Sequence, residues 1–267
     1  MRTWQTIVLL VACVLPAQSF AEATPNVTIP VDMSAWFRRD REECESGTRL
    51  TLSPNGMDIR SDHSYALFWQ IPMSDGSPMA LDSNRYSWLK KCDRPPINFS
   101  GVIEKQGEDT LIEVADYPWF TWQWKVDVAT VEEQRVDENG KIKSRYDDFP
   151  AKIGISILKE NSSSIREVAY VWSRHLPDEM MYTSETTVIP LVWKLKWRRF
   201  VVESGTESIG KWVSESRNVL DDYRRAYPGE EPGRIVRIYV STDSDNTNSK
   251  AEASYANFQF RRTPPNE

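Results

Sequence analysis

In the stretch WFTWQWKVD, Trp119 to Asp127, apolar and polar side chains alternate without a break from Phe120 onward. Phe120, Trp122, Trp124 and Val126 point one way, and Thr121, Gln123, Lys125 and Asp127 the other. That is the pattern of a strand with one buried face. The same period recurs in AKIGISILK, where Ile153, Ile155 and Ile157 share a face. In REVAYVWS, Val168, Tyr170 and Trp172 share one, with Ala169 and Val171 behind them. Phe200 with Val202, and Val236 with Ile238 and Val240, continue the pattern. YALFWQIP and GVIE read as further strands, and ASYANFQF alternates less cleanly but carries Tyr255, Phe258 and Phe260. Polar turns such as Asp75-Gly76-Ser77-Pro78, Glu138-Asn139-Gly140 and Asn161-Ser162-Ser163-Ser164 separate the runs. Many short strands with polar turns predict a mainly β fold, an antiparallel two-sheet sandwich of jelly-roll type.

One segment has a different period. In SESRNVLDDYRRAYPG, Val219, Leu220, Tyr223 and Tyr227 fall on one side of a helix. The spacing predicts a short helix near 216–227, with Ser214 or Ser216 as N-cap and Pro228-Gly229 as its stop.

The first residues read as an address. Met1-Arg2 precedes the apolar run Ile7 to Leu15, and Ser19-Phe20-Ala21 is a small-x-small cleavage site. The run is well short of the roughly 20 residues that span a bilayer. Residues 1–21 are therefore expected to be a signal peptide and 22–267 a single domain, periplasmic or secreted. Leu10-Val11-Ala12-Cys13 resembles a lipoprotein box, but the apolar run continues past Cys13 and a good ordinary site follows. The lipid anchor thus ranks second. The leader removed, Cys44 and Cys92 remain, and an exported protein with two cysteines is expected to join them in one disulfide. Closing a loop of about 50 residues stabilises by at most on the order of 4 kcal/mol. The net charge of -6, with no basic stripe, argues against nucleic acid and anionic membranes as partners.

Candidate chemistry is sparse. There is no Gly-x-Ser-x-Gly elbow, no His-x-x-x-His pair and no Cys-x-x-Cys. His175 lies just past a strand, where loop residues can serve a site. Asp147 and Asp148 stand side by side before a strand, and Asp127 closes another. A pair of carboxyls across a cleft could hydrolyse a glycosidic bond, although acids at strand ends also cap turns. Asp243-x-Asp245-x-Thr247 imitates the start of an EF-hand, and Asn246 adds an amide. Asn248 stands where that loop needs glycine and Ser254 where it needs glutamate, so the EF-hand is excluded. A different oxygen-lined calcium site on Asp243 and Asp245 stays open beside the plain turn reading, and no other cofactor is expected. The 11 tryptophans have two readings as well, core filling and stacking on sugar rings. Trp119 is out of phase with Trp122 and Trp124, hence a candidate sugar platform.

The pieces WQWKVD, DDFPAKIGISIL, AYVWS, ESGTESIGKWVSESRNVLDDYRRAYPGEEP and VSTDSDNTNSKAEASYANFQF occur in an order that resembles an exported bacterial family, domain of unknown function family 3047. The resemblance runs from about Tyr117 to Phe260, more weakly from Ile59. It implies a jelly-roll sandwich similar to carbohydrate-binding modules, and no established activity. Where the family commonly has glycine after the acidic loop and a Tyr-Gly-Asp ending, this chain has Asn248 and Tyr255-Ala256-Asn257-Phe258, which weakens a metal argument. Val128 to Tyr146 is a longer, charged insertion.

Together these observations favour a non-catalytic binding protein. Its saccharide-like ligand would meet a loop end formed by Trp119, Asp127, Asp147, Asp148, His175, Asp243, Asp245 and Asn246. A structural or assembly subunit of an envelope complex, with an exposed edge such as VWKLKWRRF, is the alternative. A hydrolase or lyase acting on polysaccharide comes third, because no acid/base or nucleophile set is recognisable. The sequence leaves oligomeric state open.

Overall fold

Alternating side chains require a partner for each apolar face, and two sheets supply it. The computed structural model describes residues 25–31, 36–40, 47–53, 56–77, 110–130, 148–189 and 193–265. The strands among them are β1 (Val27–Thr28), β2 (Phe37–Asp40), β3 (Arg49–Ser53), β4 (Gly56–Asp62), β5 (Tyr65–Gln70), β6 (Ile112–Glu113) and β7 (Trp119–Val128). Then follow β8 (Ala151–Lys159), β9 (Ile165–Ser173), β10 (Met181–Ile189), β11 (Trp193–Ser204) and β12 (Val213–Asn218). The helix α1 (Val219–Ala226), β13 (Pro232–Asp243) and β14 (Lys250–Arg261) complete the order. The leader, Cys13, Cys44, Cys92, Asp147, the GVIE run and most of the Val128–Tyr146 insertion lie outside the described residues. Among the described residues no helix is long and apolar enough to cross a membrane.

One sheet has the order β12-β7-β14-β4-β3, with β1 also on β14; the other runs β10-β11-β9-β8-β13-β5-β2, with β6 also on β13. They pack as the expected jelly-roll sandwich. Phe120, Trp122, Trp124 and Val126 of β7 meet Ile153, Ile155 and Ile157 of β8 and Val168, Tyr170 and Trp172 of β9 in one core. Trp122 stacks on Tyr170 at 5.1 Å and meets Trp124 edge-on at 5.5 Å. Burying each such ring contributes roughly 2–3 kcal/mol.

The structure departs from the sequence expectation in three places. The sandwich is antiparallel except between β11 and β9, which run parallel. The β10–β11 hairpin folds back so that its second strand, not its first, lies beside β9. Val236 shares its face with Tyr239 and Trp69, opposite to Ile238 and Val240, because register shifts on either side of Ile235 change the phase of β13. Ser214 and Ser216 lie within β12, which runs straight into the helix, so Asn218 is the N-cap and accepts from the Asp221 N–H at 3.1 Å.

The helix closes one end of the sandwich. Val219, Tyr223, Ala226 and Tyr227 enter the core, and the Val219 N–H donates to Pro118 O at the start of β7. Arg198 donates to the Ala226 carbonyl at 3.2 Å, a cation at the negative end of the helix. At the opposite end the chain twice crosses between sheets, through Asp62–Ser64 and through Ser244–Ser249. The crossings are tied by His63 N to Ser249 O at 2.9 Å and Ser244 N to Ser64 O at 3.1 Å.

Candidate functional site

The acidic loop is held from a distance. Asp148, just ahead of β8 and 3% exposed, accepts from four donors of the loop. These are the Asn246 N–H and side-chain amide, and the Thr247 N–H at 2.8 Å and hydroxyl at 2.6 Å. The Asn246 amide also donates to Asp245 at 2.6 Å. Asn248 takes φ 52°, so it supplies the left-handed turn for which a glycine would be the easier residue. One carboxylate oxygen from each of Asp148, Asp243 and Asp245 lies within 4.8 Å of the others, close enough to surround a cation. The positive charge beside them is Lys152, whose ammonium is 3.6 Å from Asp243 and 5.5 Å from the Tyr65 ring centroid. Lys152 and Asp243 are both buried.

Hydroxyls finish this end. Ser61 bonds Ser244 at 2.9 Å and Thr48 bonds Ser64 at 2.6 Å, all four buried. The Tyr255 hydroxyl donates to Ser241 O at 2.7 Å and receives the Lys152 N–H at 3.3 Å; burial raises its phenol pKa well above the ordinary value. Acids and hydroxyls here are occupied in joining the two crossings to β8.

Of the other expected site residues, His175 is exposed and lines a shallow depression with Asp148, Phe149 and Thr130. Asp127 is at the same end, since Val128 pairs with Glu252, but it is exposed and bonded to Lys125 at 2.8 Å. Trp119 is elsewhere. It starts β7 opposite Asn218 and Arg261, nine residues from Val128 and on the order of 30 Å away. The one cluster expected from the sequence therefore separates into a loop knot and a sheet face, because both ends of a ten-residue strand cannot serve one loop.

That face is the outer side of the six-stranded sheet, where Trp119, Thr121, Gln123, Lys125 and Asp127 line up along β7. On β12, Val213 packs against the core, and the alternation carries Ser214 and the preceding Trp212 outward. Trp212 is 41% exposed. Trp119, half-buried, stands at the other end of the row, six residues along β7 from the position beside Trp212, or roughly 20 Å. Between them, Asn257 donates to Gln123 Oε1 at 2.6 Å and Gln123 donates to Ser214 Oγ at 2.9 Å, a line of amides and hydroxyl across three strands.

None of Trp212, Gln123, Ser214 and Asn257 is a site candidate in the sequence, where Gln123 marks a strand face, Ser214 a helix cap and Asn257 a departure from the family ending. The faltering alternation of ASYANFQF was the available signal. In β14 the register shifts between Ala256 and Gln259, so Asn257 and Phe258 together oppose Trp122. Asn257 sits at φ 56° and is exposed, while Tyr255 and Phe258 both stay in the core.

Among known proteins, no curated one matches the chain. Among solved structures, a loop-swap mutant of Necallimastix patriciarum Xyn11A is similar at 10% identity and a TM-score of 0.38, over 88% of this chain and 98% of that one. An agarase, AgWH50C, is similar at 10% identity and a TM-score of 0.31, over 94% of this chain and 24% of that one. Likenesses at these TM-scores carry no argument about site or activity. The family described as "Protein of unknown function (DUF3047)" matches residues 98–259, more than half of the chain and the span that holds both the loop knot and the amide row. This chain belongs to that family.

Proposed function

We propose that the protein is an exported, non-catalytic binding protein that takes a saccharide on the outer face of its six-stranded sheet. The observation that carries this reading is the placing of Trp119 and Trp212 at the two ends of one outward-facing row whose middle members, Thr121, Gln123, Ser214 and Asn257, are polar and uncharged. An indole presents a flat apolar ring to the C–H face of a sugar, and amides between two such rings meet its hydroxyls. The loop end supports the reading less well, because the carboxylate of Asp148 is engaged by four internal donors and Lys152 lies against Asp243. Export rests on the Met1–Ala21 leader pattern.

Affinity electrophoresis tests the reading, in gels containing neutral polysaccharides (hydroxyethylcellulose, xyloglucan, galactomannan) or acidic ones (carboxymethylcellulose, polygalacturonate, alginate). The protein should be retarded in at least one gel, and Trp212→Ala should migrate freely there. Unretarded migration in all of them would sink the reading.

A further inference from the structure

Resting on that reading, we infer that the middle of the face takes an uncharged, hydroxyl-bearing unit of an extended polysaccharide, and that Asn257 is the residue that reads it. A regular β14 could not present Asn257. With Tyr255 in the core, strict alternation would send residue 257 inward beside Trp122 and turn Phe258 out to solvent. The extra residue reverses both, and Asn257 takes the left-handed conformation that asparagine tolerates better than most side chains. Bulges of this kind re-aim a side chain. Here the re-aimed group is an amide 2.6 Å from Gln123, in register with Ser214 on the far strand.

The row has capacity to spare. Asn257 uses one N–H on Gln123, and Gln123 uses its carbonyl and one N–H. Among the described residues, that leaves the second N–H of each amide, the Asn257 carbonyl and the Ser214 proton available to a ligand. Alternating donors and acceptors suit neighbouring hydroxyls, each of which both gives and takes a hydrogen bond. Beside the middle, Lys125 is paired with Asp127 at 2.8 Å, and toward the crossing end of the face Arg60 is paired with Glu252 at 3.4 Å. An anionic sugar at that position would meet a Lys125 already paired with Asp127. Arg261 lies opposite Trp119 at the end of the face, outside this middle position.

The same gels, run with Asn257→Gly and Gln123→Ala beside Trp212→Ala, test the inference. Glycine suits the φ of 56° and deletes only the amide, so the fold should be kept, as near-ultraviolet circular dichroism would show. Wild-type protein should be retarded most in a neutral gel, and Asn257→Gly and Gln123→Ala should each weaken that retardation about tenfold. Two results overturn the inference while leaving saccharide binding standing. One is wild-type-like retardation of Asn257→Gly in a gel where Trp212→Ala runs free; the other is stronger retardation by the acidic polysaccharides. Free migration everywhere overturns both.

Discussion

Thr247 gives its backbone N–H and its hydroxyl to the same carboxylate oxygen of Asp148, at 2.8 and 2.6 Å, across 99 residues of chain. The contact joins the entry of β8 to the sheet-to-sheet crossing between β13 and β14, so a local sequence motif is completed by an acid from another part of the fold.

Asp148→Ala should therefore unfold the protein more easily without touching the core. It leaves the Thr247 and Asn246 donors unmet in a half-buried position, a loss of about 3 kcal/mol. For a domain of this length the melting temperature should fall by roughly 6–12 °C. Differential scanning calorimetry giving a drop within about 2 °C would show the loop is held by something else.

The trio of Asp148, Asp243 and Asp245 should be indifferent to calcium. Lys152 supplies the neighbouring positive charge and the loop donors fill Asp148. Melting curves with millimolar calcium and with a chelator should superimpose. Since a ligand bound only to the folded state raises the melting temperature, a clear rise with calcium would establish an ion site instead.

Glu215, on edge strand β12, provides a pH test. Burial first, and then the nearby Glu203, push its carboxyl up to about 8 from an ordinary value of 4.5, against the opposing effect of the Trp124 N–H at 3.2 Å. The folded state thus keeps a proton that the unfolded chain releases. Glu215 contributes stability that is fully present below about pH 4.5 and is lost as pH rises through about 8. Urea denaturation across that window should show the decline, and Glu215→Gln should flatten it. Equal slopes in both proteins would place the effect elsewhere.

Gly154 should not accept a side chain. A Cβ there would stand 2.0 Å from the Tyr239 ring, which lies flat on β8. The ring cannot swing aside freely, because its hydroxyl donates to Glu167 at 2.7 Å and Arg237 bonds the other Glu167 oxygen at 2.9 Å. Gly154→Ala should cost about 1–3 kcal/mol by chemical denaturation, as overpacking does. In Gly154→Ala with Tyr239→Leu the added methyl should cost less than in Gly154→Ala alone. An unchanged cost of the methyl would mean that the backbone, not the ring, is what resists.

Reading along the chain was enough for the core of the sandwich. The faces of β7, β8 and β9 followed from period-two alternation, and the helix from the spacing of Val219, Tyr223 and Tyr227, because each pattern repeats within one element. The same reading places a polar loop between two strands at Asp243–Thr247 and excludes an EF-hand there on Asn248 and Ser254. It misplaced what depends on partners. Ser214 and Ser216 resemble helix caps until β7 pairs with them, and Val236 follows Ile238 until a register shift parts them. Trp119 and the acids group together in a reading along the chain, and only the pairing of β7 with β14 shows that Trp119 and Asp127 stand at opposite ends of the sheet.

Alternation is a local property of the backbone, so the residues between Trp119 and Val126 carried their two faces in their order. Which strand ends meet, and that one extra residue in β14 turns Asn257 outward to Gln123, are decided by register between strands far apart in the chain. Register follows from how two sheets share one core, and no single strand contains it.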